Sequence, residues 1–172
     1  FFTPVSPPDG FYQRLAEAGC SHVEFGTDTL CDEMLRRYQK PFLFADVQAA
    51  HAAAQAAGLY VSHFMLLGGP GESPATVEDA LRHADLLPET VFFFFCGMRI
   101  YPGTDLWKAA VAEGQIAAEQ DLIEPVFYRP REISLEQVIA QVEAHADGRR
   151  NWVVGGGGEV VAGLFPQAGV IV

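Results

Sequence analysis

Three short runs hold the residues best suited to chemistry: Glu24-Phe25-Gly26-Thr27-Asp28-Thr29, Gly68-Gly69-Pro70-Gly71-Glu72 and Gly97-Met98-Arg99-Ile100-Tyr101-Pro102. The second follows an apolar stretch, Val61 to Leu67, and precedes a helix that opens at Ser73-Pro74. Glycines there leave the backbone bare, because no Cβ stands between it and a ligand. The first turn of the helix aims its free N–H groups at the same point. Gly68 and Gly69 therefore suit a nucleotide-like ligand, although a tight strand–helix turn also wants Gly and Pro. Glu72 either faces that ligand or complements the helix dipole. Asp28 and Thr29 bring a carboxylate and a hydroxyl, and either can instead cap the next helix. Arg99 can grip a carboxylate or phosphate with two N–H groups, or pair with one of the chain's many acids. Tyr101 can stack on a ligand or simply pack.

The other reactive side chains form weaker patterns. Cys20, Cys31 and Cys96 are too far apart for a metal or redox motif, and buried thiols in a reducing compartment are expected. Cys96 sits at a strand end, where it is either a buried thiol or faces the inside of a barrel. His63 follows Tyr60 by three strand residues, so the two face opposite sides. A lone strand histidine reads as a hydrogen-bonded structural residue. His22, His51, His83 and His145 have no metal-ligand spacing, so no metal site is expected from this chain. The run Gly155 to Gly158 lacks the setting of a dinucleotide loop, which needs a strand before it, a helix after it and an acid further on. Trp152 to Val154 is short for a core strand, so the run reads as a linker or terminal turn.

The elements that must position these residues follow from periodicity and punctuation. Phe1 to Ser6 reads as a strand end, and Asp9 can cap a helix over Gly10 to Ala18. A strand over Ser21 to Phe25 precedes helices over Leu30 to Arg37 and Phe44 to Ala57. A strand over Leu59 to Leu67 leads to a helix from Pro74 to Leu87, with Pro at its first turn. Val91 to Cys96 is almost wholly Phe and is expected to be buried on both faces, as in a parallel sheet covered by helices. Thr104 or Asp105 caps a helix to Glu113. Gln115 to Pro130 reads as an extended connection, and Ser134 with Gln137 makes a capping box for a helix to about His145. Alternating strands and helices call for a parallel sheet with right-handed crossovers. The fold class is α/β, and three or four strands do not close a barrel by themselves, so the chain reads as part of a larger TIM-like (β/α) barrel or as an open sheet.

The chain is 49% hydrophobic and 19% charged, which makes it globular. A formal charge of -11 argues against general affinity for nucleic acid or anionic membrane. No apolar run is long enough to span a bilayer, and Phe1-Phe2-Thr3-Pro4 is not a secretory signal. The sequence starts without Met on two aromatics, which points to a piece of a longer protein, expected to be cytoplasmic.

In order, LAEAGCSHVEFGTDTLCDEMLRRYQKPF, AGLYVSHFMLLGGPGES and CGMRIYPGTDLWKAAVAEG resemble the later half of a radical S-adenosylmethionine (SAM) enzyme barrel. The likeness is greatest to members with an upstream cobalamin-binding domain. It implies a barrel segment over residues 1–114 and a C-terminal extension over 115–172. It implies SAM as cofactor, with Asp28 and Thr29 at the ribose or methionine part. Gly68, Gly69 and Glu72 would lie on the adenine side, with Met65 where the family often has Gly. Arg99 and Tyr101 would stand at the sixth-strand end. The family's 4Fe–4S cluster is held by CxxxCxxC, which this sequence lacks, so its ligands are expected upstream of Phe1. Cobalamin is a further cofactor implied for the full protein, whose 5′-deoxyadenosyl radical would act on a small organic substrate. The chain alone is expected to be inactive. The alternative is a non-catalytic α/β module that binds a nucleotide or self-associates, since a half barrel leaves strand edges and apolar surface unpaired.

Overall fold

The computed structural model describes residues 1–5 and 7–156. Four strands, β1 (His22–Asp28), β2 (Tyr60–Leu67), β3 (Thr90–Cys96) and β4 (Trp152–Gly156), form one sheet in the order β1-β2-β3-β4. Every pair is parallel. Phe2 adds a parallel bridge to Phe25, its N–H donating to the Glu24 carbonyl at 2.7 Å. Among the described residues six helices accompany them: α1 (Phe11–Glu17), α2 (Asp32–Arg37), α3 (Phe44–Ala56), α4 (Pro74–Ala84), α5 (Asp105–Ala112) and α6 (Leu135–Ala146). Among the described residues no helix is long and apolar enough to cross a membrane.

Local signals account for the helix starts. Ser73 accepts the Thr76 N–H and Pro74 fills the first helical position of α4. Ser134 and Gln137 close the expected capping box on α6, and Thr104 caps α5. Asp9 does not cap α1. That place is taken by Gly10, at φ 69 with no side-chain bond.

One face of the sheet is dry. Val23, Phe25, Val61, Met65, Leu67, Phe92, Phe94 and Trp152 alternate along the strands and pack against the helices. His63 lies on this side and is fully buried, while Tyr60 points the other way and is exposed. Cys96 also joins the helix-side core rather than the inner face, and burial pushes its thiol up to about 12. The opposite, inner face carries Phe64, Phe93 and Phe95. There the expectation of burial on both faces fails: Phe95 is 41% exposed. Closing that face takes strands beyond these four.

Two further expectations change. β1 runs on to Asp28 because Gly26 and Asp28 still pair with Phe64 and Met65 of β2, across a bulge that skips Thr27. The run beginning at Gly155 is not a linker at its start. Phe92 to Cys96 pair with Trp152 to Gly156, so Gly155 and Gly156 are strand residues. A ladder bonds through main chain and tolerates absent side chains at some cost. Gly157 and Gly158 lie outside the described residues. The extended segment after α5 returns to the end of β3, with an antiparallel bridge between Arg99 and Phe127. Tyr128 N–H donates to the Met98 carbonyl at 2.9 Å, and Ile100, Ala110, Ile116, Leu122 and Tyr128 form a small core there.

Candidate functional site

The carboxyl ends of β1, β2 and β3 open into a cavity of about 660 Å³. Asp28 comes from β1, Tyr38, Gln39 and Lys40 from the α2–α3 connection, Pro70 from the β2–α4 turn, and Met98 from just past β3. Parallel βα units place their ligands at this end of the strands. The volume falls in the range of small-molecule sites, roughly 300–1,000 Å³.

Backbone strain concentrates here. Among the described residues three non-glycine positions have positive φ, and two of them line the cavity: Asp28 (φ 61) and Gln39 (φ 55). Such conformations persist where surrounding structure holds them, and they cluster at functional sites. For Asp28 the holding groups are the β1 bulge and an ion pair with Lys40. Each side chain of that pair is about a quarter exposed. A carboxylate has acceptor sites to spare after one ammonium contact, so Asp28 can still take hydroxyls. Apolar Met98, Leu106 and Pro70 give the cavity a dry side.

The glycine turn is not bare. A Cβ on Gly69 would meet the Tyr38 hydroxyl and the Met98 sulfur, the latter at 2.6 Å. On Gly71 it would strike the Arg37 guanidinium, and on Gly68 it would come 2.7 Å from Leu135 Cδ2. The chain's own side chains fill the room expected for a ligand. Pro70 is the residue of this turn that reaches the cavity. Glu72 points into the core, fully buried. It accepts the Gly68 N–H at 3.1 Å, the Thr76 hydroxyl at 2.6 Å and a long contact from Tyr38 at 3.5 Å. Burial raises the Glu72 pKa against the pull of those bonds. Burial, with the Glu72 charge beside it, also holds the Tyr38 phenol well above its usual range.

The remaining sequence candidates lie elsewhere. Thr29 is buried, and its hydroxyl accepts the Cys31 N–H at 3.2 Å just before α2. Arg99 donates to the carbonyls of Leu122 and Ile123, at 3.4 and 3.1 Å, with its guanidinium over the Tyr101 ring. Its buried Nε has no protein partner. The structure thus brings Asp28 together with Pro70 and Met98 of the other two runs, and separates Thr29, Glu72, Arg99 and Tyr101 from that cavity. Tyr38, Gln39 and Lys40 were not singled out from sequence. The available signal was a polar stretch between a helix and Pro41, on a loop at the carboxyl side of the sheet. Among the described residues no group of three His, Cys, Asp or Glu side chains could hold a metal ion.

Residues 1–84 match the family model of the radical SAM superfamily. A tryptophan 2-C-methyltransferase from Streptomyces laurentii is 30% identical over 105 residues, 58% of this chain and 18% of that protein. The radical SAM methyltransferase TsrM from Kitasatospora setae, solved with cobalamin and a 4Fe–4S cluster, superposes with a TM-score of 0.74 at 18% identity. That match covers 89% of this chain and 37% of the enzyme. The same enzyme solved with tryptophan substrate and the SAM analogue aza-SAM gives a TM-score of 0.58 at 26% identity, over 64% and 22% of the two chains. The chain spans well under half the length of each of these relatives.

Proposed function

We propose that the chain is a segment of a radical SAM barrel and forms part of the SAM-binding wall of a longer, cobalamin-dependent radical SAM enzyme, a reading supported by the family match over residues 1–84 and by the similarity to the methyltransferases above. The enzyme would act on a small organic substrate, by methyl transfer or rearrangement. The observation that carries this reading is the cavity with Asp28 held in a left-handed conformation at its β1 edge. The donor set fits SAM. Asp28 accepts the ribose hydroxyls, Lys40 and Arg37 offer cations to the methionine carboxylate, and Met98 and Leu106 give the apolar side. Bound SAM supplies the one-carbon or radical chemistry of the family. The chain's own part is to bind, orient and exclude water.

An iron–sulfur cluster does not fit this chain's residues. Cys31 and Cys96 are buried, Cys20 is exposed and unpaired, and no metal-holding group exists among the described residues. Its ligands, and the cobalamin site, would belong to the rest of the enzyme. That same misfit favours a second reading, a nucleoside-binding module without catalysis.

Calorimetry decides between the readings. SAM should bind the chain, and Asp28→Ala should weaken it at least tenfold. Unchanged binding by Asp28→Ala refutes the assignment of the cavity. Adenosine binding as tightly as SAM favours the module.

A further inference from the structure

The β1 bulge is anchored from behind, through the helix-side core. Thr27 is the residue that the bulge leaves without a partner on β2, and it is fully buried on the side of Val23 and Phe25. Its carbonyl accepts the Thr29 N–H at 2.8 Å, which closes a three-residue turn with Asp28 at the tip. With φ 61 at Asp28, this is the rare and strained hand of the γ-turn. Such a conformation persists only where its flanks are held. Thr29 is held by its hydroxyl, which accepts the Cys31 N–H before α2. Thr27 is held by its own hydroxyl, 2.8 Å from His63 Nδ1.

The His63 ring is itself fixed. It is stacked between Phe25 and Phe92, and its Nε2 lies 3.0 Å from His51 Nδ1. His51 Nε2 reaches the Pro88 carbonyl at 3.0 Å. A carbonyl only accepts, so with both rings neutral the protons run one way, and the Thr27 hydroxyl is the donor to His63. The other acceptor near that hydroxyl, the Phe25 carbonyl, is at 3.5 Å. These bonds cross the core from the amino end of β3, through α3 and β2, to the carboxyl end of β1. Apolar side chains would fill the same space with less desolvation cost. What the imidazoles add is direction: they fix one hydroxyl, and through it the residue before Asp28. The Lys40 ion pair holds only the carboxylate end of Asp28, on a flexible stem. Bulges beside functional sites re-aim a side chain, and here the bulge is what the imidazoles hold.

We propose that Thr27 and His63 are positioning residues for the Asp28 cavity: their bond fixes the bulge and so aims the Asp28 carboxylate at the hydroxyls of a bound ribose. The proposal rests on the reading of that cavity as a SAM or nucleoside site, and it adds the groups that give Asp28 its aim. Calorimetry of adenosine and 2′-deoxyadenosine with the full chain tests it. The chain should favour adenosine by about tenfold, the worth of a hydroxyl bonded to a carboxylate. Thr27→Val keeps the branched shape that suits a strand and removes the donor. It should cut the preference to below about threefold, with 2′-deoxyadenosine bound as before. His63→Phe keeps a ring between Phe25 and Phe92 and removes the acceptor, with the same expected effect. The double variant should lose no more than either single one, because both break one bond. Thr27→Ser restores the hydroxyl and should restore the preference. Either of the first two variants decides alone if the other does not fold. A bond that serves only the fold would weaken both nucleosides alike, and that result overturns the proposal. So does an unchanged preference in Thr27→Val and His63→Phe, or a Thr27→Ser that fails to rescue. If Asp28→Ala loses the preference while Thr27→Val and His63→Phe keep it, this inference alone is sunk. A preference that survives Asp28→Ala, or a chain that binds neither nucleoside, sinks the cavity reading and this inference with it.

Discussion

Acid should destabilise this protein through one buried pair of imidazoles. His63 stacks between Phe25 and Phe92 at 5.4 Å on either side. Its Nδ1 is 2.8 Å from the Thr27 hydroxyl, and its Nε2 is 3.0 Å from His51 Nδ1. His51 Nε2 lies 3.0 Å from the Pro88 carbonyl, which can only accept. That end assigns every proton: His51 Nε2–H donates to Pro88, His63 Nε2–H donates to His51, and Thr27 donates to His63. The chain of bonds is complete with both rings neutral, so an added proton has no acceptor. Burial, with His51 beside it, lowers the His63 pKa from 6.5 to about 3, and burial lowers that of His51 as well. Below pH 6.5 the unfolded chain binds the proton and the folded chain does not. The stabilisation is therefore whole above pH 6.5 and drains as pH falls towards 3. At roughly 1.4 kcal/mol per unit, His63 alone removes about 2 kcal/mol by pH 5 and about 5 kcal/mol by pH 3. Urea unfolding at pH 7 and pH 5 reads the first figure, and an imidazole NMR titration reads the cause. A His63 signal that titrates near pH 6 in the folded protein would falsify this account.

The glycine turn yields two further tests. Gly69→Ala should cost about 1–3 kcal/mol by overpacking against Tyr38 and Met98. An unchanged urea midpoint would mean those side chains swing aside freely. Glu72→Ala leaves the Gly68 N–H without its acceptor, at about 1–3 kcal/mol, while the Thr76 hydroxyl can turn to the Ser73 carbonyl at 3.0 Å. A loss below ~1 kcal/mol would show that water replaces the carboxylate.

Much of the scaffold was legible because its signals are local. Ser73-Pro74 and the Ser134–Gln137 pair announce α4 and α6 within one helical turn, and a cap depends on little else. β4 was not legible, since Gly155 and Gly156 look like a turn until Phe95 and Cys96 are seen beside them. The site was read in part. Asp28 was found by residue type, but the Tyr38–Lys40 wall forms only when the α2–α3 connection folds over the strand ends. The glycines were read for access, and they serve packing at Gly68, Gly69 and Gly71. Sequence shows that a Cβ is missing, not which neighbour takes its room.

The sheet order β1-β2-β3-β4 repeats the order of the chain. Among the described residues no strand is inserted between two earlier ones, so each new strand docks on an edge that its predecessor has just made. Such a protein can assemble as it leaves the ribosome, one layer at a time, without reopening what is already built. Its unfinished rim then acts as a template, and the order of synthesis becomes the order of construction.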